Sequence, residues 1–306
     1  MLRDLLVPHK KIAILAGAGI SLDPPANLLD GWTFMFEVLR RAAPSKVDRF
    51  LSWPSSDLRR KNAWKKSWVL SILDLPDSSF RRPGERLRFE VLMSELAQSG
   101  LDPKLQVLNC LDDCDRPNRN HFVLAELIRS GHVVITTNFD RLIELAYARL
   151  NDGSQPLRVV YMDGDFPPTI PSAGLEPTLW KIHGSLSVDG QDTRESIQAT
   201  MMSILATEMT GQKKMFFESL VAAYDLWVVG YSGWDDLDII PTLANAPSQQ
   251  RLIWIDHTNH DEPTIKNASE LNQETLAHWK SIAWAGIESV SRKRVAVQRS
   301  ETPKKS

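Results

Sequence analysis

Apolar residues fall in short, widely separated runs along this chain, and each run gives way to small or polar residues. Ile12 to Leu15, Val133 to Thr136, Leu179 to Ile182, Leu226 to Val229 and Leu252 to Ile255 are apolar and partly β-branched. Runs of this kind predict buried parallel strands. Between them, His121 to Arg129, Leu142 to Leu150, Met215 to Ala223 and Glu274 to Trp284 carry apolar residues at helical spacing. The intervals are long enough for the crossover helices that parallel pairing requires. This alternation predicts an α/β fold, a Rossmann-like doubly wound parallel sheet.

Between about residues 34 and 118 the alternation stops. Phe34 to Arg41, Ala63 to Leu73 and Arg88 to Gln98 read as helices, separated by breakers at Pro44, Pro54, Pro76 and Pro83-Gly84. The expected organisation is a sheet domain made of 1–33 and 119–291 with a helical insertion module over 34–118. Arg292-Lys293-Arg294 then opens a polar stretch over 292–306, expected to be a flexible basic tail.

Composition excludes several classes. Hydrophobic residues at 42% and a net charge of −2 fit an ordinary soluble protein with no global attraction to polyanions. No window approaches the ~18 apolar residues of a membrane span, and an N-terminus with Arg3, Asp4, His9 and Lys10 has no secretory pattern, so a cytoplasmic protein is expected. Two cysteines, Cys110 and Cys114, exclude a disulfide framework and a four-cysteine zinc site. A mixed site with His121 or His132 can be drawn, but packing is the expected role of these thiols and no metal is expected.

Candidate chemistry gathers where the strands end. Gly17-Ala18-Gly19 follows the first run, and its glycines permit close backbone approach to a pyrophosphate, with Ser21 just beyond. A hydride-transfer enzyme would continue to a third glycine and place an acidic residue about twenty positions on. This chain does neither, and no Gly-Lys-Ser/Thr completes a phosphate-binding Walker loop. Thr137, Asn138 and Asp140 follow the second run, either at a ligand or as a helix cap. His183 follows the third, suited to proton transfer near neutral pH. Gly230 and Ser232 follow the fourth, and Asp256 ends the fifth with a carboxylate suited to ribose hydroxyls.

Order and content together resemble the sirtuin family, specifically its divergent, zinc-free, NAD-hydrolysing branch found in bacterial anti-phage defence. The resemblance covers about residues 10–40 and 118–260. It implies that Gly17 to Ser21 form an NAD pyrophosphate loop, that Asn138 and Asp140 form a nicotinamide-pocket pair, and that His183 is the catalytic histidine. Gly230-Tyr231-Ser232 would be the phosphate and ribose loop, and Asp256 a polar ribose contact. The chain departs from protein-deacylating sirtuins in lacking the cysteines of their zinc ribbon. It also has Pro25 to Trp32 in place of their Pro-Asp-Phe-Arg segment, and Thr137-Asn138-Phe139-Asp140 in place of Gln-Asn-x-Asp.

These departures direct the expectation toward a NAD+ glycohydrolase, with NAD as substrate, releasing nicotinamide and ADP-ribose. The alternatives are a NAD-dependent protein deacylase or ADP-ribosyltransferase, and a non-catalytic scaffold that binds NAD or ADP-ribose. An enzyme that empties the NAD pool requires control. With only a short tail after the last expected helix, control is expected from homo-oligomerisation or from a separate partner. The resemblance implies a nucleic-acid-handling ATPase or an argonaute-type protein. Arg59-Arg60-Lys61, Lys65-Lys66 and Arg81-Arg82, together with the tail, form a candidate patch for nucleic acid or for an acidic partner, for which a solvated face is the plainer reading.

Overall fold

A computed structural model describes residues 11–42, 89–151, 153, 155–170, 176–200, 209, 211–231, 239, 242–243, 250–258, 264–267 and 294–300. The chain divides into two compact units: Leu29–Asn109 with Ala199–Met202, and Met1–Leu28 with Cys110–Gln198 and Ser203–Ser306.

In the first of these units, helices α1 (Gly31–Ala42) and α2 (Phe89–Gln98) pack together. Phe34, Met35 and Leu39 of α1 are buried at helical spacing, as are Leu92, Met93 and Leu96 of α2. The rings of Phe34 and Phe89 meet edge to face at 5.8 Å. The expected helix over 63–73, the basic clusters at 59–61, 65–66 and 81–82, and the expected helix over 274–284 lie outside the described residues.

The second unit contains the sheet. Its strands are β1 (Ile12–Ala16), β2 (Val133–Thr136), β3 (Arg158–Val160), β4 (Thr178–Lys181), a small hairpin of β5 (Ser187–Val188) and β6 (Gln191–Asp192), β7 (Asp225–Val229), β8 (Leu252–Thr258), β9 (Thr264–Asn267) and β10 (Arg294–Ser300). Its helices are α3 (Arg119–Arg129), α4 (Leu142–Leu150) and α5 (Gly211–Ala223). The eight-stranded sheet runs β3-β4-β2-β1-β7-β8-β10-β9. From β3 to β8 every neighbouring pair is parallel. The chain builds outward from β1 in both directions, through β2 and β4 on one side and β7 and β8 on the other. Strand order therefore reverses beside β1, which is where open α/β sheets bind ligands.

Side-chain alternation in β1 divides two cores. Ala13 and Leu15 join Phe216, Phe217 and Leu220 of α5 on one face, while Ile12, Ile14 and Ala16 join Leu124 and Ile128 of α3 and Ile143 and Tyr147 of α4 on the other. Both faces of the strand are covered, which explains its unbroken apolar run. The expected doubly wound α/β architecture is the one observed.

Several expectations need correction. Arg294–Ser300 do not belong to a tail but form β10, with seven residues in parallel register against β8 and four in antiparallel register against β9. Val295 and Val297 alternate with other residues here, a strand pattern that the flanking charges obscure. β8 continues to Thr258 instead of stopping at Ile255, because the ladder to β10 extends to its last residue. β3, β9 and the β5–β6 hairpin were not anticipated; they are two to four residues long, shorter than a periodicity can register.

Candidate active site

Backbone register brings the strand ends together. Ala16 is level with Thr136 and with Val229, and Thr136 is level with Lys181. Two further bonds continue the alignment past the strands: Thr137 N–H donates to the Ala16 carbonyl (3.1 Å) and Ile182 N–H to the Thr136 carbonyl (3.0 Å). The segments opening at Gly17, Thr137, His183 and Gly230 therefore share one carboxyl edge. Asp256 follows Ile255, which is level with Val229, so its backbone lies beside the same edge.

The glycines let two of these segments interlock. Gly17 N–H donates to the Val229 carbonyl at 3.0 Å, and Gly19 N–H to the Gly230 carbonyl at 2.7 Å. A Cβ on Gly17 would stand 2.7 Å from the Tyr231 Cα, and one on Gly19 2.8 Å from the Gly230 Cα. Gly230 itself has φ +62 and would press a Cβ to 2.5 Å from the Ile20 nitrogen. The N–H groups of Gly17 and Gly19 thus fasten the β1 loop to the end of β7, while Ala18 occupies the half-exposed point between them.

Behind this edge lies a buried polar network centred on Ser21. Asn118 N–H donates to His121 Nδ1 at 3.0 Å, which puts the ring proton of the neutral imidazole on Nε2. Burial lowers the His121 pKa to about 4, so the ring is neutral at physiological pH. Nε2 then donates to Ser21 Oγ at 3.0 Å, and Asn138 Nδ2 donates to the same oxygen at 3.3 Å. With both acceptor positions taken, the hydroxyl proton goes to Asp140 Oδ2, 3.3 Å away. Asp140 Oδ1 accepts the Leu142 N–H at 3.0 Å, satisfying the first backbone donor of α4. Asn138 N–H is held by Thr136 Oγ1 at 3.0 Å. Asn138 Oδ1 remains buried with no hydrogen-bond partner among the described residues.

Lys181, fully buried, supports the network from β4. Its ammonium donates to the Asp140 carbonyl (2.5 Å), Glu144 Oε1 (2.8 Å) and the Phe139 carbonyl (3.4 Å). Burial pushes the Asp140 and Glu144 carboxyls up from their ordinary range, and the Lys181 charge opposes that rise in both.

The His183 turn is held from the other side. Gln198 N–H donates to the His183 carbonyl (2.9 Å), Ser185 N–H to Ser196 Oγ (3.0 Å), and Lys213 Nζ to the Ile182 carbonyl (2.8 Å). Gly184 has φ +89, and a Cβ there would meet the Ser196 carbonyl oxygen at 2.2 Å, so this position requires glycine. His183 itself is half-buried and follows two residues after Lys181, which is level with Thr136.

The structure thus brings Gly17, Ala18, Gly19, Ser21, Thr137, Asn138, Asp140, His183 and Gly230 to one edge of the sheet. Asp256 lies within β8 instead of at its end, and Ser232 falls outside the described residues. Sequence reasoning missed His121 and Lys181. A signal existed for each: Asn118-x-x-His121 is the spacing of a capping box, and Lys181 is a lone cation inside an apolar run, which burial obliges to find partners. Cys110 is exposed and Cys114 half-buried, its thiol 3.5 Å from the Ala26 carbonyl oxygen. Among the described residues, no group of three or more His, Cys, Asp or Glu side chains is arranged to hold a metal ion, and no helix is long and apolar enough to cross a membrane.

A Rossmann-like sheet with small-residue turns at its switch point defines the class of open α/β proteins, whose ligands bind at that point. Within that class, residues 132–276, just under half of the chain, match the family model described as SIR2-like domain. The match supports membership of the sirtuin-like family and is compatible with NAD-related activity. It includes Asn138, Asp140, His183 and Gly230 but begins after the Gly17–Ser21 loop, which the sheet register joins to them. No curated protein matches the chain.

Proposed function

We propose that this chain is a NAD+ glycohydrolase that cleaves the bond between nicotinamide and ribose. The observation that carries the reading is the buried Oδ1 of Asn138, without a partner among the described residues, on the edge shared by the Gly17, His183 and Gly230 turns. An unpaired buried acceptor costs about 1–3 kcal/mol, so a ligand or water that donates to it gains that much. The carboxamide and ribose hydroxyls of NAD, and an attacking water, all donate.

The nicotinamide of NAD is cationic. Breaking the C1′–N1 bond sends the bonding pair to nicotinamide, which leaves neutral, and positive charge develops on the ribose. Preorganised dipoles stabilise such a charge without having to reorient. Asn138 Oδ1 orients the water or a ribose hydroxyl, and His183 accepts the proton released as the water oxygen bonds to C1′. The balance is NAD+ plus water to nicotinamide, ADP-ribose and a proton. Because Asp140 uses both of its oxygens within the fold, we assign it a positioning role beneath Asn138 instead of direct contact with the carboxamide.

Control by self-assembly or by a separate partner, and a place in anti-phage defence, belong to the same proposal. The test is chromatographic: the full chain is incubated with NAD, at rising protein concentration and with nucleic acid present or absent. Nicotinamide and ADP-ribose should appear in equal amounts without any acylated or acceptor protein. Release that requires such an acceptor would instead identify a deacylase or transferase. Tight NAD binding with no turnover under every condition would identify a scaffold.

A further inference from the structure

His121 and Asn138 are brought together by a single hydroxyl. His121 has two ring nitrogens with different tasks. Nδ1 accepts the Asn118 N–H, completing the capping box that starts α3. That bond alone would account for a structural histidine. It does not account for Nε2, which is aimed 3.0 Å from Ser21 Oγ, a residue 100 positions earlier. The two segments are clamped at that point, since Asn118 Nδ2 also donates to the Ile20 carbonyl (2.8 Å) and the Asp23 carbonyl (3.0 Å).

The hydroxyl of Ser21 has one proton and two acceptor positions. Donation from His121 Nε2 and Asn138 Nδ2 fills both and directs the proton to Asp140. Each bond fixes the sense of the next. Remove the imidazole donor, and the Ser21 hydroxyl is free to turn its proton toward the vacated side. The Asn138 amide, whose side chain also bonds Asp140, then loses one of the two constraints that keep Nδ2 inward and Oδ1 facing the other way.

We propose that His121 is a positioning residue that acts through Ser21 to hold the Asn138 amide oxygen toward the substrate. The claim rests on the NAD-cleavage reading for its catalytic consequence, but not for its geometry. Two substitutions separate the two ring nitrogens. His121→Asn retains an acceptor where Nδ1 stood and removes the donor to Ser21. His121→Gln places an amide donor near the Nε2 position and gives up the cap bond.

The expected result is that His121→Asn lowers kcat for nicotinamide release, by up to about 10²-fold for a misplaced catalytic group, with KM nearly unchanged. His121→Gln should retain kcat while lowering Tm. In a Ser21→Ala background, which already lacks the hydroxyl, His121→Asn should cost no further activity. Full kcat in folded His121→Asn, equal losses in the two variants, or additive losses with Ser21→Ala would overturn the proposal.

If the wild-type chain releases no nicotinamide, the cleavage reading fails on its own, and the positioning claim is decided by NMR. The side-chain amide resonances of Asn138 should move in His121→Asn and stay close to wild type in His121→Gln. Unmoved resonances in His121→Asn would refute it.

Discussion

The two edges of the parallel sheet use the same residue types to different ends. At the amino edge, His132 Nδ1 accepts the Ile12 N–H at 3.1 Å, and buried Asp225 is bound by Arg251 through its backbone N–H (3.2 Å), Nε (3.0 Å) and a terminal guanidinium nitrogen (2.6 Å). These bonds satisfy backbone donors and pin neighbouring strands together. At the carboxyl edge, His121 likewise accepts a backbone N–H on Nδ1, but its second nitrogen enters a side-chain network that ends on an unpartnered amide oxygen. At the amino edge the bonds close on one another, whereas at the carboxyl edge the network leaves the Asn138 amide oxygen open to a donor from outside the described residues. The comparison separates a histidine that holds the fold from one that also holds a site.

The largest expected effect falls on activity at one edge alone. His183→Ala should lower nicotinamide release by about 10²-fold or more, the usual range for a lost general base. At the opposite edge His132→Asn, which keeps an acceptor for the Ile12 N–H, should leave the rate unchanged. Comparable losses from both in a steady-state assay would erase the distinction between the edges.

Next in size is a pH effect. His121 is neutral in the fold, with its pKa lowered from 6.5 to about 4, whereas the unfolded chain binds a proton on this residue below about 6.5. Between these values the unfolded state carries more protons, so stability falls as pH drops from about 6.5 toward 4, by about 3 kcal/mol in total. His132 is shifted in the same direction by burial and by Lys11, while Asp140 and Glu144, raised by burial, contribute in the opposite sense. Comparing wild type with His121→Asn cancels those shared contributions. Urea unfolding across this range should show the wild type losing stability relative to the variant as pH falls, and parallel curves would contradict the assignment.

A smaller effect isolates the amino edge. Arg251→Ala leaves the buried Asp225 carboxylate without its charged donor and should cost about 2 kcal/mol in chemical denaturation. Because this pair serves the fold, kcat per folded molecule should not change. A large loss of kcat at full folding would mean that the two edges are coupled.

Much of the central sheet was legible in the sequence because its strands are buried on both faces and read as apolar runs. Val133–Thr136 was bounded without error, and β1, β4 and β7 to within a residue at each end. The peripheral strands were not legible. β3 has three residues, one of them exposed, and β10 begins inside a run of basic residues, so tertiary pairing determines both. The candidate site was legible where a residue follows directly on a strand, as Gly17, Asn138, His183 and Gly230 do. His121 belongs to the site only through a contact spanning 100 residues, and no local pattern carries such a contact. Asp140 was read as either a cap or a ligand group. Its oxygens accept from the first N–H of α4 and from Ser21, so it supports Asn138 and satisfies a helix donor, while the N-cap position itself is Arg141.

Asn138 carries the proposed chemistry, and replacing its amide oxygen tests that role most directly. Nicotinamide release from NAD is measured for wild type, Asn138→Ala and Asn138→Asp under whichever condition activates the wild type, with folding checked by circular dichroism. The account predicts equimolar nicotinamide and ADP-ribose from wild type and a loss of about 10²-fold in Asn138→Ala, as expected when a preorganised polar group is removed. Asn138→Asp retains an oxygen but loses the donor to Ser21, so it should also be impaired. Wild-type rates in folded Asn138→Ala would contradict the account.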